Sequence, residues 1–122
     1  MTRVPVLNLD SARLRRIRDQ RSSSIYFVQS GNTGPIKIGS AWDLYERLSS
    51  LQTGNPAEIY YLTSVDVPRA EVLHWERAVH REFSQMRIRG EWFRPERRLL
   101  DAVEGVHFGD DIYDLCKGVM RP

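Results

Sequence analysis

The chain has 122 residues, 41% hydrophobic and 28% charged, which fits one globular domain and leaves no room for a second full domain. No apolar run approaches the roughly 20 residues that span a bilayer, and no leader precedes a small-residue cleavage site, so we expect a cytoplasmic protein without a membrane partner. Cys116 is the single cysteine and no Cys/His pairs have zinc spacing, so stability must come from a hydrophobic core.

The formal net charge of +2 hides an uneven distribution. Residues 1–23 carry six arginines and two aspartates, whereas the remainder carries 12 basic and 14 acidic residues. Sixteen of the 18 basic residues are arginine, whose planar fork suits phosphate contact. A GC-rich genome would produce the same arginine bias, so composition alone leaves both explanations open.

The first half of the chain predicts a basic arm followed by a β-hairpin and a helix. Asn8 or Asp10 can cap a helix over about residues 10–21. Strand-forming residues 25–28 and 36–39 flank a loop of turn formers and predict the hairpin. A helix from Ser40 to about Gln52 then ends at a Thr-Gly-Asn-Pro stop.

The second half predicts a strand over residues 58–65, then a helix from Pro68 to near Met86 and a short strand over residues 90–93. A last helix runs from Pro95 to about Glu104, followed by an acidic tail. We therefore predict an α+β layer with a small three-stranded antiparallel sheet flanked by helices. The predicted organisation is a basic helical arm (1–23), a central domain (24–105) and an acidic tail (106–122).

Several motifs in chain order resemble the GIY-YIG endonuclease superfamily: Ser24-Ile25-Tyr26, Lys37-Ile38-Gly39, Arg47 on one helix and Glu76 on a later one. The Lys-Ile-Gly motif, the spacing Glu-x-x-x-His and the run Gly-Glu-Trp-Phe are similar to a phage and fungal branch often labelled a DNA-binding domain. The resemblance covers residues 24–94. It implies metal-dependent hydrolysis of phosphodiester bonds on a GIY-YIG-like fold.

Tyr26 is the candidate general base. If the hairpin is centred between Gly31 and Asn32, Tyr26 lies opposite Lys37, and the ammonium group would lower the pKa of the phenol. The resemblance also implies that this tyrosine activates the water. The family's second motif usually begins with another tyrosine where this chain has Lys37, so Lys37 could bind the phosphate, tune Tyr26 or accept the proton. The alternative for Tyr26 is a half-buried strand tyrosine with a satisfied hydroxyl.

Arg47 and Glu76 both fall at the border of an apolar helix stripe. A guanidinium there can reach a phosphate, and the resemblance assigns Arg47 to the scissile group; a solvated arginine paired with Asp43 is the alternative. A partly desolvated carboxylate at position 76 needs a partner. The resemblance makes Glu76 the single protein ligand of Mg²⁺ or Mn²⁺, and a salt bridge to Arg77 or Arg47 is the alternative.

His80 follows Glu76 by one helical turn on the same face. It could protonate the leaving group, hydrogen-bond the phosphate or orient Glu76, or simply be satisfied by a nearby carboxylate. The family's leading glycine is Ser24 here, and the asparagine that usually follows the metal glutamate has no evident match. Its role could pass to Glu91, which can approach the site, or to water.

The sequence thus predicts a metal-dependent endonuclease acting on DNA, single- or double-stranded, through a tyrosine-activated water. The alternatives are a DNA-binding module that does not cut and a phage or mobile-element accessory interaction protein. A homodimer or a partner that supplies specificity is left open. The predicted catalytic residues are Tyr26, Lys37, Arg47 and His80, the metal ligand is Glu76, and the predicted nucleic-acid contacts are Arg13, Arg15, Arg16, Arg18, Arg21, Arg87 and Arg89.

Overall fold

The computed structural model describes residues 3–9 and 21–122. The helix expected over residues 10–21 lies outside this part of the chain, apart from Arg21. The described strands are β1 Val4–Pro5, β2 Ser22–Ser30, β3 Ile36–Ala41, β4 Ile59–Pro68, β5 Arg87–Arg89 and β6 Trp92–Phe93. The described α-helices are α1 Leu44–Thr53, α2 Val72–Glu82, α3 Arg97–His107 and α4 Ile112–Leu115.

The strands form one six-stranded antiparallel sheet in the order β1-β4-β2-β3-β6-β5. The α+β class is confirmed, but the prediction of three strands is wrong. The three long strands β4, β2 and β3 are predicted ones, and β6 lies within the short strand predicted over residues 90–93. The sequence did not predict β1 and β5, which are too short to show an alternating hydrophobic pattern.

The β2–β3 hairpin has a register two residues away from the predicted one. Tyr26 pairs with Gly39, and Lys37 pairs with Val28. The hairpin closes through a longer loop, in which the Ser30 amide donates to the Pro35 carbonyl at 3.0 Å. Because side chains alternate with a period of two, the shift changes the neighbours of Tyr26 but leaves it on the same sheet face as Lys37.

The sheet separates two apolar cores. On one face α1 packs Leu48 against Tyr26 and Val28, and Val6 from the N-terminal segment joins this cluster. The opposite face is larger and buries side chains of β2, β3, α2 and α3, including Phe27, Ile38, Trp75, Val79, Phe83, Leu99 and Val103. The apolar stripe predicted on the long helix therefore faces this larger core, although α2 itself is shorter and is flanked by 3-10 turns.

The segment expected as an acidic tail packs onto the domain. Ile112, Leu115 and Cys116 are buried in the larger core. Asp111 caps α4, and Arg121 donates to its carboxylate at 2.7 Å. The acidic residues of this segment therefore cap a helix and form an ion pair. Within the described ranges, no helix has the length and apolarity required to cross a membrane.

Candidate functional site

The candidate site lies at the edge of β3, beyond the last residue of β3 that pairs with β6. The strand pairing with β6 includes only Ile36 and Lys37. At the next residue, the Ile38 amide donates to the Glu91 carbonyl and the Ile38 carbonyl lies 2.9 Å from Nε2 of His80. These contacts bring the β5–β6 turn and helix α2 together beside the second half of β3.

Glu76 is directed from α2 into this junction. The Ser40 hydroxyl donates to Glu76 Oε2 at 2.7 Å, and His80 Nε2 lies 4.0 Å from Oε1. Its side chain is 14% exposed. Burial is the main cause of its raised pKa, and a hydrogen-bond contact with Glu91 raises the pKa further. The salt bridge to Arg77 or Arg47, the alternative considered from the sequence, is not formed among the described residues.

Glu91 reaches the same point from the β5–β6 turn. Burial acts to raise its pKa, but hydrogen bonds with Glu76 and Lys37 outweigh burial and lower the pKa overall. Lys37 Nζ lies 2.8 Å from Glu91 Oε2 and 5.4 Å from the centroid of the Trp92 ring. The pair of carboxylates therefore favours a state in which Glu91 is ionised against Lys37 and Glu76 more readily retains a proton.

Tyr26 is only 1% exposed and lies directly across Gly39. A Cβ at position 39 would lie 2.6 Å from Cζ of Tyr26, so the phenol requires glycine there. The prediction that Lys37 lowers the pKa of Tyr26 is wrong. Burial and the negative charges of Glu91 and Glu76 raise the pKa to about 12, against a smaller opposing effect of Arg47.

Arg47 lies on α1 and is exposed to solvent. It is close enough to Tyr26 for its positive charge to lower the Tyr26 pKa, so the two predicted catalytic residues belong to one electrostatic neighbourhood. The side chain of Asp43, the partner considered as the alternative, accepts from the Glu46 amide and caps α1.

His80 lies beside Glu76, as the helical spacing predicted. Its Nε2 can hydrogen-bond the Ile38 carbonyl only as a donor, which leaves Nδ1 as the acceptor nitrogen in the neutral ring. The ring also contacts Phe93 edge-on at 5.1 Å. These contacts hold the imidazole against β3, with its Nε2 4.0 Å from Glu76 Oε1.

The two carboxylates offer the oxygen ligands that Mg²⁺ and Mn²⁺ prefer. Glu76 and Glu91 are in contact although both are partly buried, an arrangement that a cation between them would stabilise. Within residues 3–9 and 21–122, no three His, Cys, Asp or Glu side chains are grouped to enclose a metal. Two carboxylates leave most of a coordination shell open, so a cation held here would keep several waters.

The family model of the T5orf172 domain matches residues 23–107. The chain belongs to the T5orf172 domain family. This family is part of the GIY-YIG/HNH-like group of phage and mobile-element endonucleases, so nuclease or DNA-binding function is indicated. No curated protein matches the chain, and no solved structure does so either.

In this T5orf172 domain, the described members of the predicted arginine set are all on the surface. Arg87 and Arg89 lie on β5, the outermost strand at that edge of the sheet, and Arg21 precedes β2. Arg87 Nε donates to the Gly90 carbonyl at 2.8 Å. The remaining four predicted contacts lie outside the described residues: Arg13, Arg15, Arg16 and Arg18.

Sequence reasoning missed Ser40, the hydrogen-bond partner of Glu76. The sequence assigned Ser40 to the start of a helix, but it lies in β3 on the face that packs against α2. A signal was present, because alternation from Ile36 and Ile38 puts a polar residue at position 40 on an apolar face. Glu91 was expected only to approach the site, whereas it is a central member.

Proposed function

We propose that this T5orf172 domain is a GIY-YIG-type, divalent-metal-dependent endonuclease that hydrolyses DNA phosphodiester bonds. The observation that carries the proposal is that Glu76, held by Ser40 at 2.7 Å, and Glu91, held by Lys37 at 2.8 Å, meet at one edge of β3 and act on each other and on Tyr26. Two desolvated carboxylates in contact disfavour each other's charge, and a cation between them would offset that cost.

Glu76 and Glu91 would hold one Mg²⁺ or Mn²⁺. When bound, the cation supplies Lewis-acid stabilisation of the charge on the leaving oxygen. Ser40 keeps the Glu76 carboxylate oriented, since its hydroxyl donates to Oε2. Lys37 keeps Glu91 ionised through its 2.8 Å contact. In this chain Lys37 therefore tunes a carboxylate, in place of the second tyrosine of the family.

Tyr26 is proposed to orient the attacking water and accept its proton. It can accept a proton only as the phenolate. Burial and the charges of Glu91 and Glu76 raise its pKa to about 12, so forming the phenolate at neutral pH would require at least a cation that neutralises these charges and water at the buried hydroxyl. Arg47, exposed and close to Tyr26, would bind the scissile phosphate through its guanidinium. His80 would keep Glu76 and β3 in place.

A DNA-binding module that does not cut is the second candidate. The raised pKa and near-complete burial of Tyr26 favour it, because a protonated, inaccessible phenol cannot act as a base. In that case the arginines would grip phosphates, and the carboxylate pair would only order the β5–β6 turn. For either function we propose a cytoplasmic location.

Cleavage assays with Mg²⁺, Mn²⁺ or EDTA separate the two candidates. The substrates are supercoiled plasmid and end-labelled single-stranded DNA, and the variants are Tyr26→Phe and Arg47→Ala. An endonuclease converts a substrate to product only with metal, and both variants slow conversion. A binding module shifts the mobility of DNA at low salt without producing cuts.

A further inference from the structure

A solvent-exposed tryptophan follows directly after β3. Trp42 is 39% exposed, whereas the other two tryptophans are buried or partly buried. Cζ of Arg69, which directly follows β4, lies 4.5 Å from the centroid of the Trp42 ring. An exposed indole in contact with a guanidinium is a surface on which planar aromatic groups stack.

Trp42 also forms one wall of an open pocket of about 270 Å³. Arg47, on the next turn of α1, lines the same pocket. The size suits a single planar ring system rather than a folded peptide. The lining is Ala41, Trp42, Asp43, Glu46, Arg47 and Ser50.

The charges of the pocket distinguish a base from a phosphate. Glu46 lines the pocket and repels a phosphate group, but carboxylate oxygens accept hydrogen bonds from the amino groups of bases. Arg47 lines the same pocket and offers positive charge to the backbone next to the base. The arrangement thus suits a base inside the pocket with its phosphates outside.

The pocket is linked to the carboxylate site through Arg47. Arg47 lines the pocket, and its charge acts on the phenol of Tyr26, as the charges of Glu91 and Glu76 also do. A strand whose phosphate lies between Arg47 and the carboxylates can therefore place an adjacent base on Trp42.

We propose that Trp42 and Arg69 form a stacking platform for an unpaired nucleobase next to the scissile phosphate. The substrate class is accordingly single-stranded or locally unpaired DNA, because bases inside an intact duplex are already stacked and present only their edges. This inference rests on the proposed nucleic-acid substrate, but not on cleavage.

The test compares Trp42→Phe with Trp42→Leu in the full-length chain, since both replace the indole by a smaller apolar group and only one keeps an aromatic face. Anisotropy titrations use a labelled 20-nucleotide single strand and the duplex of the same sequence at fixed salt. We expect Trp42→Leu to bind the single strand about tenfold more weakly than Trp42→Phe, with equal duplex affinities.

Equal single-strand affinities of the two variants, or the same loss on the duplex, would overturn the platform. Metal-dependent cleavage in the same preparations reports separately on the nuclease proposal. Weaker single-strand binding by Trp42→Leu than by Trp42→Phe, without any cleavage, supports the platform and contradicts the nuclease proposal. Cleavage together with equal single-strand affinities of the two variants supports the nuclease proposal and contradicts the platform. Failure to bind either DNA contradicts both proposals.

Discussion

Gly39 lies opposite Tyr26 across β2 and β3, and the phenol ring of Tyr26 fills the space that a side chain at position 39 would occupy. The requirement for glycine in the Lys-Ile-Gly motif is therefore steric. The missing side chain lets the Tyr26 hydroxyl approach the carboxylates at the edge of β3.

Gly39→Ala should displace Tyr26, because the added Cβ would lie 2.6 Å from its Cζ. We expect cleavage to fall on the order of 100-fold, since small misplacements of catalytic groups have effects of this size. Overpacking should lower the free energy of unfolding by about 1–3 kcal/mol. Gly118→Ala, where a Cβ meets no neighbour, is the control. Cleavage at the wild-type rate by Gly39→Ala would contradict the role of the Tyr26 position.

The raised pKa of Tyr26 predicts a loss of stability at alkaline pH. The phenol titrates near 10 when unfolded and near 12 when folded, so its contribution is fully present below pH 10 and is lost as the pH rises towards 12. The wild type should lose about 1.4 kcal/mol of unfolding free energy per pH unit in this window beyond what Tyr26→Phe loses. Urea denaturation of both proteins from pH 8 upward measures the difference. Parallel curves would show that the phenol is not desolvated.

Leu115→Ala tests whether the C-terminal segment belongs to the folded domain. Leu115 is 4% exposed in the larger core, so its truncation should cost about 2–5 kcal/mol of unfolding free energy. Met120→Ala, at a side chain that is 90% exposed, should change stability by less than about 0.5 kcal/mol. Thermal denaturation of the two variants gives the comparison. Similar melting temperatures would mean that the segment is dispensable.

Arg89→Gln tests the positive charge on the outermost strand of the sheet. If Arg89 contacts a phosphate, its removal should reduce the slope of log affinity against log salt by about one and weaken binding to all sequences alike. Arg97→Gln on α3, also a highly exposed arginine, is the matched control and should leave the slope unchanged. An unchanged slope for Arg89→Gln would remove β5 from the DNA interface.

The sequence predicted the parts of the fold that depend on long periodic segments. The three long strands and the apolar stripe through Trp75 and Val79 are where the pattern placed them. It could not give the hairpin register, because several residues between Ser30 and Pro35 can close a turn. It also missed the packing of residues 112–116, since a four-residue helix has no detectable period.

The sequence predicted one side-chain juxtaposition at the candidate site but not the electrostatics around Tyr26. Helical spacing was sufficient to bring His80 beside Glu76. The pKa of Tyr26 was expected to fall because Lys37 was counted as its neighbour. Instead, burial and the charges of Glu91 and Glu76 raise the pKa, and Lys37 is paired with Glu91. That difference depends on where the β5–β6 turn docks, which is a tertiary contact without a local sequence signal.

Cleavage by Glu76→Gln tests the central claim most directly. The glutamine keeps the size of the side chain and a hydrogen-bond acceptor for Ser40, but it loses the charge that would hold the cation. Mg²⁺- or Mn²⁺-stimulated cutting should fall by at least about 100-fold, since changes even to residues around metal ligands cost 10–100-fold. Salt-dependent DNA binding by Glu76→Gln should remain. Glu104→Gln, at an exposed position on α3, is the control and should cut DNA like the wild type. Undiminished metal-stimulated cutting by Glu76→Gln would contradict the assignment of the carboxylate pair as the metal site.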